Sequence, residues 1–228
     1  MKHLSTIIFI ILTTLCQAQE QDTIVKELPK YIEPISDITP ADGFYALWDT
    51  SGGYSTRNDD PISWIVDVGL GAGVRQYGFS ANIFIGGISN KVTQPLWVYY
   101  PNYDNTPQGR KMAESEGKET YMAMLELGYS VYTLGRYTFD VQTGLGYGER
   151  QYRSRDGLAS NGKRLSRSKG SFIFRPTLSV TRWWRDGSFL RLKAIYSLAD
   201  YRLGDESTPI KGDYIGIGIA FGNVFWKF

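Results

Sequence analysis

From about residue 62 onward, apolar and polar side chains trade places at every second residue, in runs of roughly 10–15 residues. The stretch from Tyr137 to Tyr147 is the clearest. Tyr137, Phe139, Val141, Leu145 and Tyr147 fall on one side, and Thr138, Asp140, Gln142, Gly144 and Gly146 on the other. A helix would scatter these residues around its circumference, whereas a strand separates them. The same period runs through 64–74, 119–133, 172–184, 190–198 and 213–222, and more weakly through 79–88. Strands of water-soluble domains average about 5–6 residues, while a tilted membrane strand needs about 9–11. The run lengths therefore favour a membrane-spanning barrel over a lipocalin-like soluble one. The mean hydropathy of −0.27 is compatible with this, because only alternate residues of a barrel strand meet lipid.

The connections give an independent constraint. Gln76-Tyr77-Gly78, Leu134-Gly135-Arg136 and Arg185-Asp186-Gly187 read as short turns. The connections between them, at about 50–61, 91–118, 151–169 and 202–212, are long and polar. The expectation is an all-β fold: a closed antiparallel transmembrane β-barrel of eight strands, at approximately 43–50, 62–76, 78–90, 119–133, 136–150, 170–184, 187–201 and 212–228. The first strand is the weakest by pattern. It is required because closure with both termini on one side needs an even count. Near Gly222-Asn223 the alternation changes phase, which predicts a β-bulge there. The chain then ends on Trp226, Lys227 and Phe228.

A long alternating strand with a terminal aromatic residue resembles the C-terminal recognition signal of bacterial outer-membrane barrels. The region after residue 43 as a whole is similar to the small outer-membrane β-barrel superfamily, of the OmpA-transmembrane-domain, OmpX and OmpW kind. Its Tyr-rich strands and the Gln-rich segment near residue 19 look like barrels from Bacteroidota. The resemblance implies an outer-membrane location with both termini periplasmic. It makes Trp226 and Phe228 the signal read by the barrel-assembly machinery. It also implies membrane lipid and lipopolysaccharide as surroundings.

The N-terminus carries the features of an export signal: Lys2, an apolar run from Leu4 to Leu15, and small residues around Ala18. The expected organisation is a signal peptide over 1–18, a periplasmic linker over 19–42 containing Pro29, Pro34 and Pro40, and the barrel over 43–228. Cleavage after Ala18 would remove His3 and Cys16, the sole histidine and cysteine. Triads and zinc sites built on those residues would go with them. The reading is therefore non-enzymatic, with no cofactor or metal expected and only carboxylate chemistry left open. A net charge of +2 gives no reason to expect a nucleic-acid partner.

Assigning the apolar parities to lipid turns Asp67, Glu126, Asp140, Arg175, Arg191 and Lys193 inward. Three acids and three bases in a narrow lumen are expected to pair, since an unpaired buried ion is costly. Aromatic girdles are predicted at both membrane interfaces. One comprises Tyr77, Tyr137, Trp183, Trp184, Trp226 and Phe228; the other comprises Trp48, Trp64, Tyr147, Tyr196, Tyr201 and Tyr214. Candidate external contacts for a protein or glycan partner are Trp97, Tyr99, Tyr100 and Tyr103 in loop 91–118. In loop 151–169 the candidates are Arg153, Arg155, Lys163 and Arg164, within a basic cluster that begins at Arg150. Three functional readings follow: a structural or interaction barrel acting through its external loops, a narrow gate for ions or a small hydrophobic molecule, and a small barrel subunit of a secretion or assembly machine.

Overall fold

The computed structural model describes residues 40–57, 60–92, 94–100, 111–158, 163–205 and 207–228. The signal segment, most of the 19–42 linker and Tyr103 lie outside these residues. Nine strands occur among them: β1 (Gly43–Ser55), β2 (Ile62–Gln76), β3 (Phe79–Val92), β4 (Leu96–Tyr100), β5 (Lys111–Leu134), β6 (Tyr137–Leu158), β7 (Arg164–Trp183), β8 (Ser188–Ser197) and β9 (Tyr214–Lys227). All pairings are antiparallel. The sheet runs β3-β2-β1-β9-β8-β7-β6-β5, and a β3–β5 ladder closes it into an eight-stranded barrel. β4 is a short addition outside the ring, paired with the start of β5.

The predicted turns are where the pattern placed them. Tyr77 and Gly78 both take positive φ, 50° and 83°. A two-residue type I′ turn requires this of both central residues, and it matches the twist of the strands it joins. Asp42 braces this corner: its carboxylate accepts from the Tyr77 backbone N–H at 3.0 Å and from Arg75 at 2.7 Å. The last residue of the expected linker is thus part of the barrel's short-turn end.

A continuous apolar belt faces outward. It includes Val68 and Leu70, Ile83 and Ile85, Leu125 and Leu127, Val141 and Leu145, Leu178 and Val180, and Ile217 and Ile219, all exposed. Exposed Tyr77, Tyr132, Tyr137, Trp226 and Phe228 rim the short-turn end, and Trp64, Tyr121, Tyr147 and Tyr196 rim the other. So much outward apolar surface has a favourable neighbour only in hydrocarbon, and the two aromatic rims suit its interfaces.

Several boundaries differ from expectation. The stretch read as loop 91–118 holds β4 and the first part of β5, and much of 151–169 belongs to β6 and β7. β6 has 22 residues, about 70 Å at roughly 3.3 Å each. Tyr137 to Tyr147 is enough to cross the belt, so 148–158 stand clear of it. β8 ends at Ser197 rather than 201, and after one last bridge from Leu198 to Phe174 the chain leaves the ladder until Tyr214. The bulge in β9 falls at Phe225, between Val224 and Trp226 as they face Tyr45 and Phe44. Alternation therefore continues unbroken through Val224, which is buried. Trp183, Tyr201 and Tyr214 are not girdle residues: all three point inward and are nearly inaccessible.

Candidate functional site

The lumen is a stack of side chains whose chemistry changes along its axis. At the short-turn end an aromatic group closes it. Trp183 packs against Phe189 with ring centroids 4.9 Å apart, and Phe189 meets Tyr45 edge-on at 5.7 Å. Val224 and Leu47 complete this group. The Arg75 guanidinium lies 5.2 Å from the Trp183 ring centroid, and its other donors reach Asp42 and Ser130. An aromatic face is a favourable neighbour for a guanidinium removed from water.

Above this lies the polar section. Asp140 accepts from Ser130 at 2.6 Å and Thr181 at 2.7 Å, with longer contacts from Thr138 and Ser179. Arg191 does not reach a carboxylate directly: its Nε donates to Thr181 Oγ1 at 3.0 Å, and that hydroxyl donates onward to Asp140. Glu126 accepts from Asn82 Nδ2 at 2.7 Å. Lys193 pairs with Asp49, and both are buried. Arg175 Nη2 lies 2.9 Å from Asp67 Oδ2, with both side chains 1% exposed. Ser51 and Tyr214 add hydroxyl donors to the same carboxylate.

Of the six charges singled out by parity, all line the lumen, but only Asp67 and Arg175 meet each other. The rest are satisfied by hydroxyls, an amide and an acid absent from the expected set. That acid is Asp49 on β1. Phe44, Ala46 and Trp48 face outward while Tyr45, Leu47, Asp49 and Ser51 face inward, an alternation of exposure that the uniformly apolar run from Phe44 to Trp48 does not display in its residue types. Glycines admit some of this packing. A Cβ on Gly218 would lie 3.1 Å from Lys193 Cε, and one on Gly69 only 2.4 Å from the Phe84 ring.

The far section is apolar. Ile62, Ile65, Phe84, Ile88, Met122, Met124, Tyr152, Ile173 and Ile195 form one buried cluster with Leu96 and Val98 of β4. Tyr201 and Ile210, from the segment between β8 and β9, complete it. That segment folds across the mouth and is tied to the edge of β4. Thr208 N–H donates to Trp97 O, while Trp97 and Tyr99 N–H donate to Thr208 Oγ1 and Ser207 Oγ. These bonds occupy an edge that would otherwise be open for strand pairing.

The strand ends beyond the belt form a sheet with a polar outer face. Trp97, Arg153 and Arg164 are exposed on it. Arg155 is bound to Glu114 at 2.7 Å and Glu116 at 3.4 Å, so it is already neutralised. Lys163 is exposed. Two members of the expected outer surface are elsewhere. Tyr100 is buried with its hydroxyl 2.8 Å from that of Ser115, because it shares the inward parity of Leu96 and Val98. Arg150 is buried inside the mouth. Tyr99 is half-buried, with its carbonyl accepting from Arg167. Trp226 and Phe228 lie outward at the β1–β9 seam, where the Phe228 ring meets Phe44 at 5.3 Å. Among the described residues, no group of three or more His, Cys, Asp or Glu side chains gathers as a metal site.

No family model matches the chain, and no curated protein is similar to it in sequence. Solved structures do match. Neisserial surface protein A aligns with a TM-score of 0.50 and 12% identity, over 83% of this chain and all of that one. The N-terminal β-barrel domain of Pseudomonas aeruginosa OprF gives 0.42 and 10%, over 80% and 98%. Ail, the attachment invasion locus protein of Yersinia pestis, gives 0.38 and 10%, over 81% and 99%. With the Neisserial protein the likeness is one of fold: a small closed antiparallel barrel.

Proposed function

We propose that this chain is a non-enzymatic barrel of the bacterial outer membrane whose filled lumen serves as an anchor, and whose projecting sheet meets partners. One observation supports the reading: an aromatic group, a hydrogen-bonded charge section and an apolar cluster follow one another along the lumen. A gate for ions would need a hydrated path, and each section here removes one. The short turns belong on the periplasmic side with both termini, and the long connections outside. The outer face of β4–β7 then stands above the headgroups. It offers Trp97 as an aromatic contact and Arg153 and Arg164 as cations with no carboxylate partner among the described residues. That combination suits a surface rich in phosphate, such as lipopolysaccharide, or an anionic glycan or protein.

Single-molecule conductance in planar bilayers tests the reading. The refolded full-length protein inserts and stays electrically silent from pH 5 to 8. Steady or gated single-channel steps from the unmodified protein would overturn the anchor reading in favour of transport.

A further inference from the structure

Arg150 sits inside the mouth of the barrel, 2% exposed, in the apolar section rather than in the polar one. The other buried arginines of the lumen are tied to acids, Arg75 to Asp42, Arg175 to Asp67 and Arg191 through Thr181 to Asp140, whereas Arg150 reaches only the neutral hydroxyl of Tyr152. Arg150 forms no ion pair among the described residues, and both its Nε and its Nη1 lack a hydrogen-bond partner. Asp60 is a buried carboxylate of the same end, but its two oxygens accept from the backbone N–H groups of Ile62 and Gly212. The Tyr201 ring covers the guanidinium at 5.4 Å, which offsets only part of the cost of burying a cation. The Tyr201 hydroxyl is also buried without a partner. Burial pushes that phenol up to about 12, so it keeps its proton and remains a donor.

These groups share one small cavity. Arg150 and Tyr201 line it together with the apolar walls of Ile65, Ile88 and Ile173. The space open to the centre of a water-sized sphere is about 10 Å³, room for one small occupant. The unmet groups are two N–H donors of a cation and a phenolic O–H. A water molecule bonded to them would leave the positive charge uncompensated, whereas a small anion accepts all three donors and neutralises the guanidinium. We propose that Arg150 and Tyr201 form an internal binding site for a single halide-sized monovalent anion, chloride being the physiological choice. The anion takes the place that a carboxylate fills around Arg175, and it locks the segment between β8 and β9 over the mouth.

The test uses the full chain refolded in detergent micelles and freed of halide, with gluconate as counter-ion. Urea unfolding is followed by tryptophan fluorescence while chloride or bromide replaces gluconate at constant ionic strength. The midpoint rises and saturates with either halide and does not respond to sulfate, which is too large for the cavity. Tyr201→Phe raises the half-effect halide concentration about fivefold, as expected for one lost hydrogen bond, and Arg150→Met abolishes the response. A flat wild-type response, an unshifted Tyr201→Phe, or a response retained in Arg150→Met overturns the proposal. Should Arg150→Met fail to refold, crystals of the wild type grown in bromide decide the matter. An anomalous peak within hydrogen-bond reach of Arg150 Nε and Nη1 supports the site, and a bromide-free cavity there overturns it.

Discussion

Strand β6 is built in two different ways along its length. From Tyr137 to Tyr147 its apolar residues face out and its polar ones face in. From Arg150 to Arg155 the outward face turns polar: Gln151, Arg153 and Arg155 are exposed, while Arg150, Tyr152 and Ser154 are buried. β7 does the same, with Leu165 buried beyond the belt and Phe172, Phe174 and Leu178 outward within it. The backbone is continuous across the change. What changes is the surroundings: hydrocarbon outside the lower half makes apolar-out favourable, and water around the upper half makes it costly. The interior changes too. Polar side chains fill the lower part of the lumen, and an apolar cluster that begins within the belt, at Phe84, Met124 and Ile173, fills most of the part above.

The largest effect comes from breaking the polar section. Asp67→Leu leaves Arg175 charged and buried, and should destabilise the barrel by about 3–5 kcal/mol. The double variant Asp67→Leu, Arg175→Met removes both charges and should recover most of that loss. Urea midpoints of the three proteins in micelles measure both steps. If the single variant is as stable as wild type, the charge section is not holding the barrel, and the contrast with the apolar section loses its energetic meaning.

A pair of substitutions eight residues apart on β6 sharpens the change of outward face itself. Leu145→Arg places a charge on the belt between the midplane and the Tyr147 rim and should cost about 1–2 kcal/mol. Arg153→Leu, on the same outward parity but above the belt, should change stability by less than about 0.5 kcal/mol. Folding efficiency into vesicles, followed by heat-modifiable migration on gels, reads both. Equal effects at the two positions would mean that both halves of the strand see one solvent.

The change of outward face also explains what was legible in the sequence. Where hydrocarbon and a polar lumen oppose each other, alternation is strong, and the positions of Asp67, Asp140, Arg175, Arg191 and Lys193 follow from parity. Above the belt the outward face turns polar beyond Glu149-Arg150 and a bulge interrupts β5 between Lys118 and Tyr121, so the alternation loses phase and reads as loop. The first strand hid Asp49 for a different reason. Near the short-turn end both faces of β1 are apolar, Phe44 and Trp48 toward lipid and Tyr45 and Leu47 toward the aromatic closure, and no period stands out. Tyr201 and Ile210 belong to a segment with no regular period, so only tertiary packing reveals that they stopper the mouth. Trp183 reads as a girdle residue by its place near a strand end, although its parity, shared with Arg175, Thr177, Ser179 and Thr181, turns it inward.

The smallest expected effect lies in the same segment across the mouth, where a pair of charges meets water rather than a lumen. Arg202 holds the Asp200 carboxyl well below the usual range, at about 2, through a fork of short hydrogen bonds. Both side chains are about half exposed, so solvent screening reduces what the pair contributes. Asp200→Asn should lower stability by no more than about 0.5 kcal/mol at pH 7. The sign with pH is fixed by the direction of the shift. The folded carboxyl ionises below its unfolded value of about 3.9, so its contribution is complete above that pH and is lost as pH falls toward 2. Wild type and Asp200→Asn should therefore differ slightly at pH 7, converge below pH 4, and converge at any pH when salt is raised. A loss for Asp200→Asn as large as that for Asp67→Leu would place this pair in the same energetic class as the lumen. The division between a water-facing and a membrane-enclosed half would then fail.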